Sequence, residues 1–408
     1  MKGYLSSQKK VECFGCGACV QVCNQNALSM MEDDEGFVYP AFDAEKCCGC
    51  EACLRACPYG NELPREGAPI AVFGGHHRNA SILEDSTSGG AFSALVKAWF
   101  LREGNRAVWG AASHGIDVRH ECALNFEESV RFRKSKYCQS DMGSAYADIR
   151  LQLKAGTFVL FSGTPCQVAG LRSFLGPRAY GGRLLTVEVV CEGVPTPLYL
   201  RKYIERLESG HESKLVELDY RYKDGRRWDF QVMLATFEDG QYCKVDRWFN
   251  PFWSIWLQHL MSRPSCYCCP FAAPDRIADV TLGDLWGVHL YCPDLYSRNA
   301  GASLVVCNTE AGVSLLNDAR SFLEGRNLEF ADARRYQGPM RRPVGEVLSR
   351  EAFMHDLLTL DIDDLEKKWA KRPSLKLLWC KYIWGNRQKV ALWNLRRALV
   401  SKVKKGGD

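Results

Sequence analysis

Cysteine is the residue type here with the clearest chemistry: the 408-residue chain carries 20. Eight of them form an internal repeat, since "CFGCGACVQVCN" (13–24) and "CCGCEACLRACP" (47–58) both read C-x-x-C-x-x-C-x-x-x-C. Tight C-x-x-C turns aim several thiolates at one centre, and in paired-cluster proteins the fourth cysteine of each run ligates the other centre. On that rule Cys13, Cys16, Cys19 and Cys57 are expected to hold one 4Fe-4S cluster, and Cys47, Cys50, Cys53 and Cys23 the other. A pair of zinc knuckles is the competing reading; it fits poorly, because zinc sites rarely use this cross-ligated repeat. Cys48 is out of register and is expected to pack as a small hydrophobe.

A second set of thiols is scattered. "RPSCYCCPF" (263–271) offers a C-x-x-C pair at Cys266 and Cys269 and leaves Cys268 outside it. Cys166 follows the apolar run in "FVLFSGTPCQ", and Cys191 ends the one in "LLTVEVVCEG". Four thiolates from three segments suit iron–sulfur or zinc. Spacing does not choose between them, but a neighbouring pair of redox clusters needs an acceptor and zinc cannot change oxidation state. Cys166 also stands where a helix should begin, a position at which the dipole lowers a thiol's pKa, so a nucleophile is the other reading for it.

A phosphate-binding signal lies in "EDSTSGGAFSALVKAWF" (84–100). Ser86, Thr87 and Ser88 can cap the helix that follows, and Gly89 and Gly90 leave its free N–H groups open to an anion such as a pyrophosphate. An ordinary capped helix explains the same residues. No G-x-G-x-x-G follows a first strand, which excludes a standard dinucleotide fingerprint.

These groups need a scaffold, and the rest of the chain supplies one of mixed α/β (α+β) class. With 46% hydrophobic residues the chain can build a small module plus a large core. The stretch "MMEDDEGFVYPAFD" between the two repeats reads as a hairpin, and "YGNELPREGAP" (59–69) as a linker. A helix is expected over 91–103 and strands at "RAVWGAAS", "TFVLFSG", "LLTVEVVC", "LVELDYRY", "DFQVMLATF" and "ADVTLGD". The expected domains are a two-cluster module over 1–66, a larger α/β domain over 67–345 and a basic helical segment over 346–408. Cys122, Cys138, Cys243, Cys292, Cys307 and Cys380 are expected as buried thiols, and the histidines, His120 among them, as surface or core residues. Trp286 and Asp284 in "GDLWG" read as a strand end packed by the indole. Twenty cysteines at these spacings, with no apolar run resembling a signal peptide, point to a reducing cytoplasmic setting. From Glu366 onward the chain is basic with interleaved aromatics. That segment has two readings: contact with the anionic inner face of a membrane, or helices docked on the body with a solvated cationic face. A nucleic-acid role is not favoured, since no basic recognition motif accompanies the net charge of +5.

"STSGG", "RKSKYCQSD", "LFSGTPCQVAGLRSFL", "CEGVPTP", "RPSCYCCPF" and "ADVTLGDLWG", in this order after a two-cluster ferredoxin pattern, resemble the coenzyme F-420 hydrogenase/dehydrogenase beta-subunit family. Within it, they resemble the bacterial branch associated with exopolysaccharide biosynthesis. The resemblance implies an iron–sulfur flavoprotein that moves electrons between 4Fe-4S clusters and FAD, with a ferredoxin or other one-electron donor on one side. On the other side stands an organic substrate, such as a sugar nucleotide or lipid-linked glycan. By position it implies that Ser88, Gly89 and Gly90 meet the FAD phosphates and that Lys136, Tyr137, Gly163, Thr164 and Gln167 line the flavin pocket. It also implies a third 4Fe-4S cluster on Cys166, Cys191, Cys266 and Cys269. Glu192 departs from the pattern, which often has histidine there. Two other functions stay open: a coenzyme F-420 oxidoreductase subunit, and a non-catalytic electron-transfer or docking subunit for a glycan-processing enzyme.

Overall fold

The computed structural model describes residues 3–61, 63–176, 180–225, 228, 231–296, 300–385 and 388–396. The end of the basic segment and the first two residues of "DFQVMLATF" lie outside them. The hairpin between the cysteine repeats is β1 (Leu28–Glu32) and β2 (Val38–Phe42), paired antiparallel with Leu28 opposite Phe42. Its turn is held by Asp33, whose Oδ1 accepts from the Glu35 and Phe37 amides (3.1 and 2.9 Å).

The large domain is built on eight strands: β3 (Ala71–His77), β4 (Arg106–His114), β5 (Asp117–Ala123), β6 (Phe158–Gly163), β7 (Leu184–Val189), β11 (Val280–Asp284), β12 (Ser303–Cys307) and β13 (Leu323–Asn327). Their order is β13-β3-β12-β11-β7-β6-β4-β5. The inner run β11-β7-β6-β4 is parallel and the flanking pairs are antiparallel. Parallel strands are covered on both faces, which is why "FVLF" reads as an unbroken apolar run and "LLTVEV" is broken only by Thr186 and Glu188, both buried. In β6, Leu160 points into the core under the Ala91–Leu101 and Glu310–Ala319 helices. Val159 and Phe161 point the other way, under the Ala145–Lys154 and Pro165–Leu175 helices.

A second, antiparallel sheet of β8 (Leu215–Tyr222), β9 (Val232–Phe237) and β10 (Tyr242–Val245) packs with the Pro197–His211, Arg350–Thr359 and Ile362–Trp369 helices around Tyr199, Phe252, Trp253 and Phe353. The C-terminal segment therefore starts as a docked element: Tyr199 Oη donates to Glu366 at 2.8 Å and Arg206 pairs with the same carboxylate. Beyond it Leu375, Trp379, Ile383, Trp384, Leu392 and Leu395 are exposed.

Three local expectations change. The helix expected over 91–103 ends at Leu101. Its first amide is not capped by Ser86, Thr87 or Ser88; the Ala91 N–H donates to Ser303 Oγ on β12 (3.3 Å), because Ser88 Oγ is committed to the Ala302 carbonyl and Thr87 Oγ1 to the Ser135 amide. The linker is also pinned, with the Glu66 amide donating to the Arg276 carbonyl (2.9 Å) and Arg65 paired with Asp275. Phe14, Cys16, Ala18 and Ala56 share one apolar core with Ile149, Val168 and Phe271, so the cysteine-repeat module packs directly on the sheet's helices.

Candidate functional site

Cys13, Cys16, Cys19 and Cys57 line one small cavity of ≈30 Å³ in the N-terminal module. The left-handed backbone at Gly15 (φ 66°) turns the Gly15 N–H onto Cys13 Sγ (3.4 Å), and Gly49 (φ 71°) does the same toward Cys47 Sγ (3.4 Å). Cys23, Cys47, Cys50 and Cys53 are the residues expected around the second centre. Cys47 and Cys50 are exposed, Cys23 and Cys53 half-buried, and Cys53 interacts electrostatically with both Cys23 and Cys50. Burial drives the Cys16 thiol up, whereas hydrogen bonding from the Ala52 amide draws the exposed Cys50 thiol down. Cys19 and Cys57 both feel Cys53, so the two groups adjoin.

Cys166, Cys191, Cys266 and Cys269 line a second cavity, of ≈40 Å³, with Phe14, Arg263 and Arg276. They come from three places: the first turn of the Pro165–Leu175 helix after β6, the loop after β7, and the loop that opens with a single 3₁₀ turn at Pro264–Cys266. Gly193 lies between them with a backbone (φ 113°) that strains any other residue, and a Cβ there would stand a tight 3.2 Å from Cys266 Cβ. The expectation that a helix start lowers the Cys166 pKa is overturned: burial raises it, outweighing the Thr164 hydroxyl 3.2 Å from its sulfur. Burial likewise pushes Cys266 up to about 12 and Cys269 to about 11. Such thiols are poor free nucleophiles, and a bound metal is what would hold them as thiolates. Cys268 is exposed and does not line the cavity. Among the described residues no three His, Cys, Asp or Glu side chains close on a single ion, and that holds for the N-terminal cysteines as well.

A third and larger cavity, ≈340 Å³, opens at the carboxyl ends of β4, β6, β7 and β11, where open α/β sheets gather ligands. Ser88, Gly90, Lys136, Tyr137, Gly163, Thr164 and Gln167 line it. Gly89 does not, because it backs onto the sheet: a Cβ there would lie 2.3 Å from the Ser303 nitrogen and 2.4 Å from the Gly75 oxygen. Thr164 and Gln167 form a capping box that starts the Pro165–Leu175 helix. Lys136 Nζ donates to the Phe132 and Arg133 carbonyls (3.1 and 2.6 Å), and burial still lowers its pKa to about 8.

Several wall residues escape sequence reasoning. His120, expected in surface or core, faces this cavity: its Nδ1 accepts from Ser140 Oγ (2.8 Å), its Nε2 donates to the Ser162 carbonyl (2.9 Å), and burial takes its pKa to about 4, so it stands neutral in the wall. Gln167 Nε2 donates to the same Ser140 hydroxyl (2.8 Å). Asp284, read as a strand end, pairs with buried Arg221 (2.5 Å), and Trp286 packs on Trp228 (4.7 Å). Cys138 also faces the cavity, its thiol pushed up to about 12 by burial. Only tertiary contact identifies these, since none has a spacing signal.

The three cavities stand in series. Phe14 lines both the inner N-terminal cavity and the four-cysteine cavity. Cys191, Glu192, Gly193 and Val194 line both the four-cysteine cavity and the large one.

Comparison with known proteins gives this arrangement its kinship. Residues 12–61 match the 4Fe-4S dicluster domain, and residues 157–331 match the family described as the C terminus of the coenzyme F420 hydrogenase/dehydrogenase beta subunit. The chain thus carries the C-terminal domain of the coenzyme F420 hydrogenase/dehydrogenase beta-subunit family behind a 4Fe-4S dicluster domain. With that pair of domains it is an iron–sulfur electron-transfer protein with 4Fe-4S clusters in its N-terminal module. Among solved structures it is similar to a chain of the F420-reducing [NiFe] hydrogenase complex from Methanosarcina barkeri, at 18% identity and a TM-score of 0.45, over 76% of this chain and 94% of that one. No curated protein matches. No helix of the described residues is long and apolar enough to cross a membrane.

Proposed function

We propose that this chain is an FAD-containing iron–sulfur oxidoreductase that accepts electrons from a ferredoxin or similar one-electron donor at the exposed half of its dicluster module. It delivers them to an organic substrate at the large cavity. The observation that carries this reading is the series of three cavities, each sharing wall residues with the next. In the dicluster, Cys13, Cys16, Cys19 and Cys57 hold the inner cluster, and Cys47, Cys50, Cys53 and Cys23 the outer one. Cys166, Cys191, Cys266 and Cys269 hold a third 4Fe-4S cluster. When bound, the clusters supply one-electron exchange and the flavin supplies the exchange between single electrons and a pair.

The remaining roles belong to the cavity wall. Ser88 and Gly90 approach the FAD phosphates, and Lys136 places its charge where an anionic flavin is favoured. Tyr137, Gly163, Thr164 and Gln167 shape the pocket, while Gly89 acts behind it by letting the 86–90 loop lie against β3 and β12. Residues 1–66 form the dicluster module, 67–345 the flavin domain and 346–408 the basic C-terminal segment, whose Arg350–Thr359 and Ile362–Trp369 helices dock on the body. The resemblance of the sequence motifs to the exopolysaccharide-associated branch makes a sugar nucleotide or lipid-linked glycan the favoured substrate class. Coenzyme F420 is the alternative partner, and a viologen-driven assay of its reduction separates the two.

Anaerobic reconstitution with iron and flavin quantitation tests the reading: about twelve irons and one FAD per chain are expected. Cys269→Ser should lose about four of the twelve irons and Cys268→Ser none. Iron-replete protein that releases no FAD would sink the flavin assignment.

A specific feature favours a membrane-docked version of this function. Trp379, Ile383, Trp384, Leu392 and Leu395 are exposed beside Arg372, Lys376, Lys389 and Arg396, a composition suited to the headgroup region of an anionic bilayer. Full-length protein should sediment with vesicles containing anionic lipid and not with neutral ones, and Trp379→Ser with Trp384→Ser should weaken that binding; equal recovery with both vesicle types would reject the contact.

A further inference from the structure

Two arginines line the four-cysteine cavity, and they are compensated differently. Arg276 is buried at 2% exposure and pairs with the buried carboxylate of Glu188. Arg263 is buried at 1% exposure, yet among the described residues its acceptors carry no carboxylate. Its Nε donates to the Cys13 carbonyl (2.9 Å), its Nη2 to the Val38 carbonyl (2.8 Å) and its Nη1 to Gln139 Oε1 (3.3 Å). Nη2 also stands 3.7 Å from Cys13 Sγ. The guanidinium lies over the Tyr39 ring, 4.4 Å from its centroid. A full charge withdrawn from water with only neutral acceptors is strongly unfavourable unless an anion stands close by.

Each flanking cavity is lined by four cysteines, the donor set of such an anion. A 4Fe-4S centre with four thiolate ligands is a dianion that gains a further negative charge on one-electron reduction. The backbone is arranged to keep the guanidinium between the two. Arg263 belongs to the loop that carries Cys266 and Cys269, its amide is held by the Val194 carbonyl (2.9 Å), and its side chain reaches across to the Cys13 loop. That reach requires Gly15, because a Cβ there would lie 2.8 Å from Arg263 Nη1 and 2.9 Å from its Cζ.

We propose that Arg263 is the shared counter-charge of the inner dicluster centre and the four-cysteine centre, favouring the reduced state of both and leaving the outer centre at Cys23, Cys47, Cys50 and Cys53 unaffected. Electrons from the one-electron donor are thereby drawn inward from the exposed half of the module. Arg263 is a positioning residue in this role. It touches Cys13 and the cavity wall and reacts with nothing. The part of the inference that concerns the four-cysteine centre rests on the third cluster assigned above.

The test is an anaerobic redox titration of the full reconstituted chain followed by EPR, with the outer centre identified by its loss in Cys50→Ser. Arg263→Gln should make reduction of the two inner centres about tenfold less favourable, a fall of about 59 mV for a one-electron couple, with the outer midpoint unmoved. Arg263→Lys, which keeps the charge, should restore most of the shift. Gln139→Glu keeps the arginine and sets a carboxylate against it, so it should lower the same two midpoints even where Arg263→Gln fails to load iron. Midpoints that stay at the wild-type values in iron-replete variants, or that fall equally at all three centres, would overturn the proposal. Wild-type protein with about eight irons per chain would instead refute the third cluster. The inner dicluster midpoint alone then decides the role of Arg263.

Discussion

The two halves of the dicluster module have the same motif and opposite surroundings. At Cys16 the thiol is buried against the Pro165–Leu175 helix, with Cys16 Sγ 3.1 Å from where a Cβ on Gly170 would lie. At the equivalent Cys50 the thiol is exposed, and Cys47 is exposed beside it. Gln21 and Arg55 occupy matching positions in the repeat. Gln21 Oε1 accepts from the Tyr146 and Ala147 amides (2.9 and 3.2 Å), satisfying the open start of the Ala145–Lys154 helix, whereas exposed Arg55 donates to the Cys50 carbonyl of its own loop (2.9 Å). Ligation is a local property of the motif, and access to a partner is a property of which half the large domain covers. One repeat faces outward and the other inward, toward the sheet.

That contrast can be broken at three levels. The largest expected effect is on metal removal. A chelator should strip iron from the oxidised protein in two phases, the outer centre at least about tenfold faster, because the inner one must wait for local opening. A single phase would show that the halves are equally accessible. Next is the glycine that turns each C-x-x-C loop. Gly49→Ala meets nothing within 4 Å and pays only the left-handed backbone strain, about 1–2 kcal/mol. Gly15→Ala adds a collision with Arg263 and should cost roughly 1–3 kcal/mol more. Thermal melts of the iron-loaded variants measure the difference, and equal destabilisation would contradict the packing of Arg263 on the Gly15 loop. The smallest effect is at Gln21 and Arg55. Gln21→Ala should lose about 1 kcal/mol with the helix cap, and Arg55→Ala should stay within about 0.5 kcal/mol, as judged by denaturant midpoints.

Much of the scaffold was legible along the chain. The hairpin between the repeats and the apolar runs of β6 and β7 are local consequences of turn chemistry and of burial on both faces. The cap of the Ala91–Leu101 helix was not, because its acceptor, Ser303, arrives from a strand more than two hundred residues away. Shorter separations concealed the pairing of Asp284 with Arg221 and the place of His120 in the cavity wall, and one of 250 residues concealed the reach of Arg263 to Cys13. Burial also reversed the reading of Cys166, since a helix start favours a thiolate only where solvent or a counter-charge assists it.

The sequence by itself determined which cysteines are spaced to ligate and that the chain is of mixed α/β class. These follow from short-range geometry, which a few neighbouring residues specify. Tertiary structure alone decided which repeat is buried, that Cys166, Cys191, Cys266 and Cys269 surround one cavity, and that this cavity shares walls with both its neighbours. Those are relations between segments that meet only when the parallel strands align their carboxyl ends, and no local pattern encodes them.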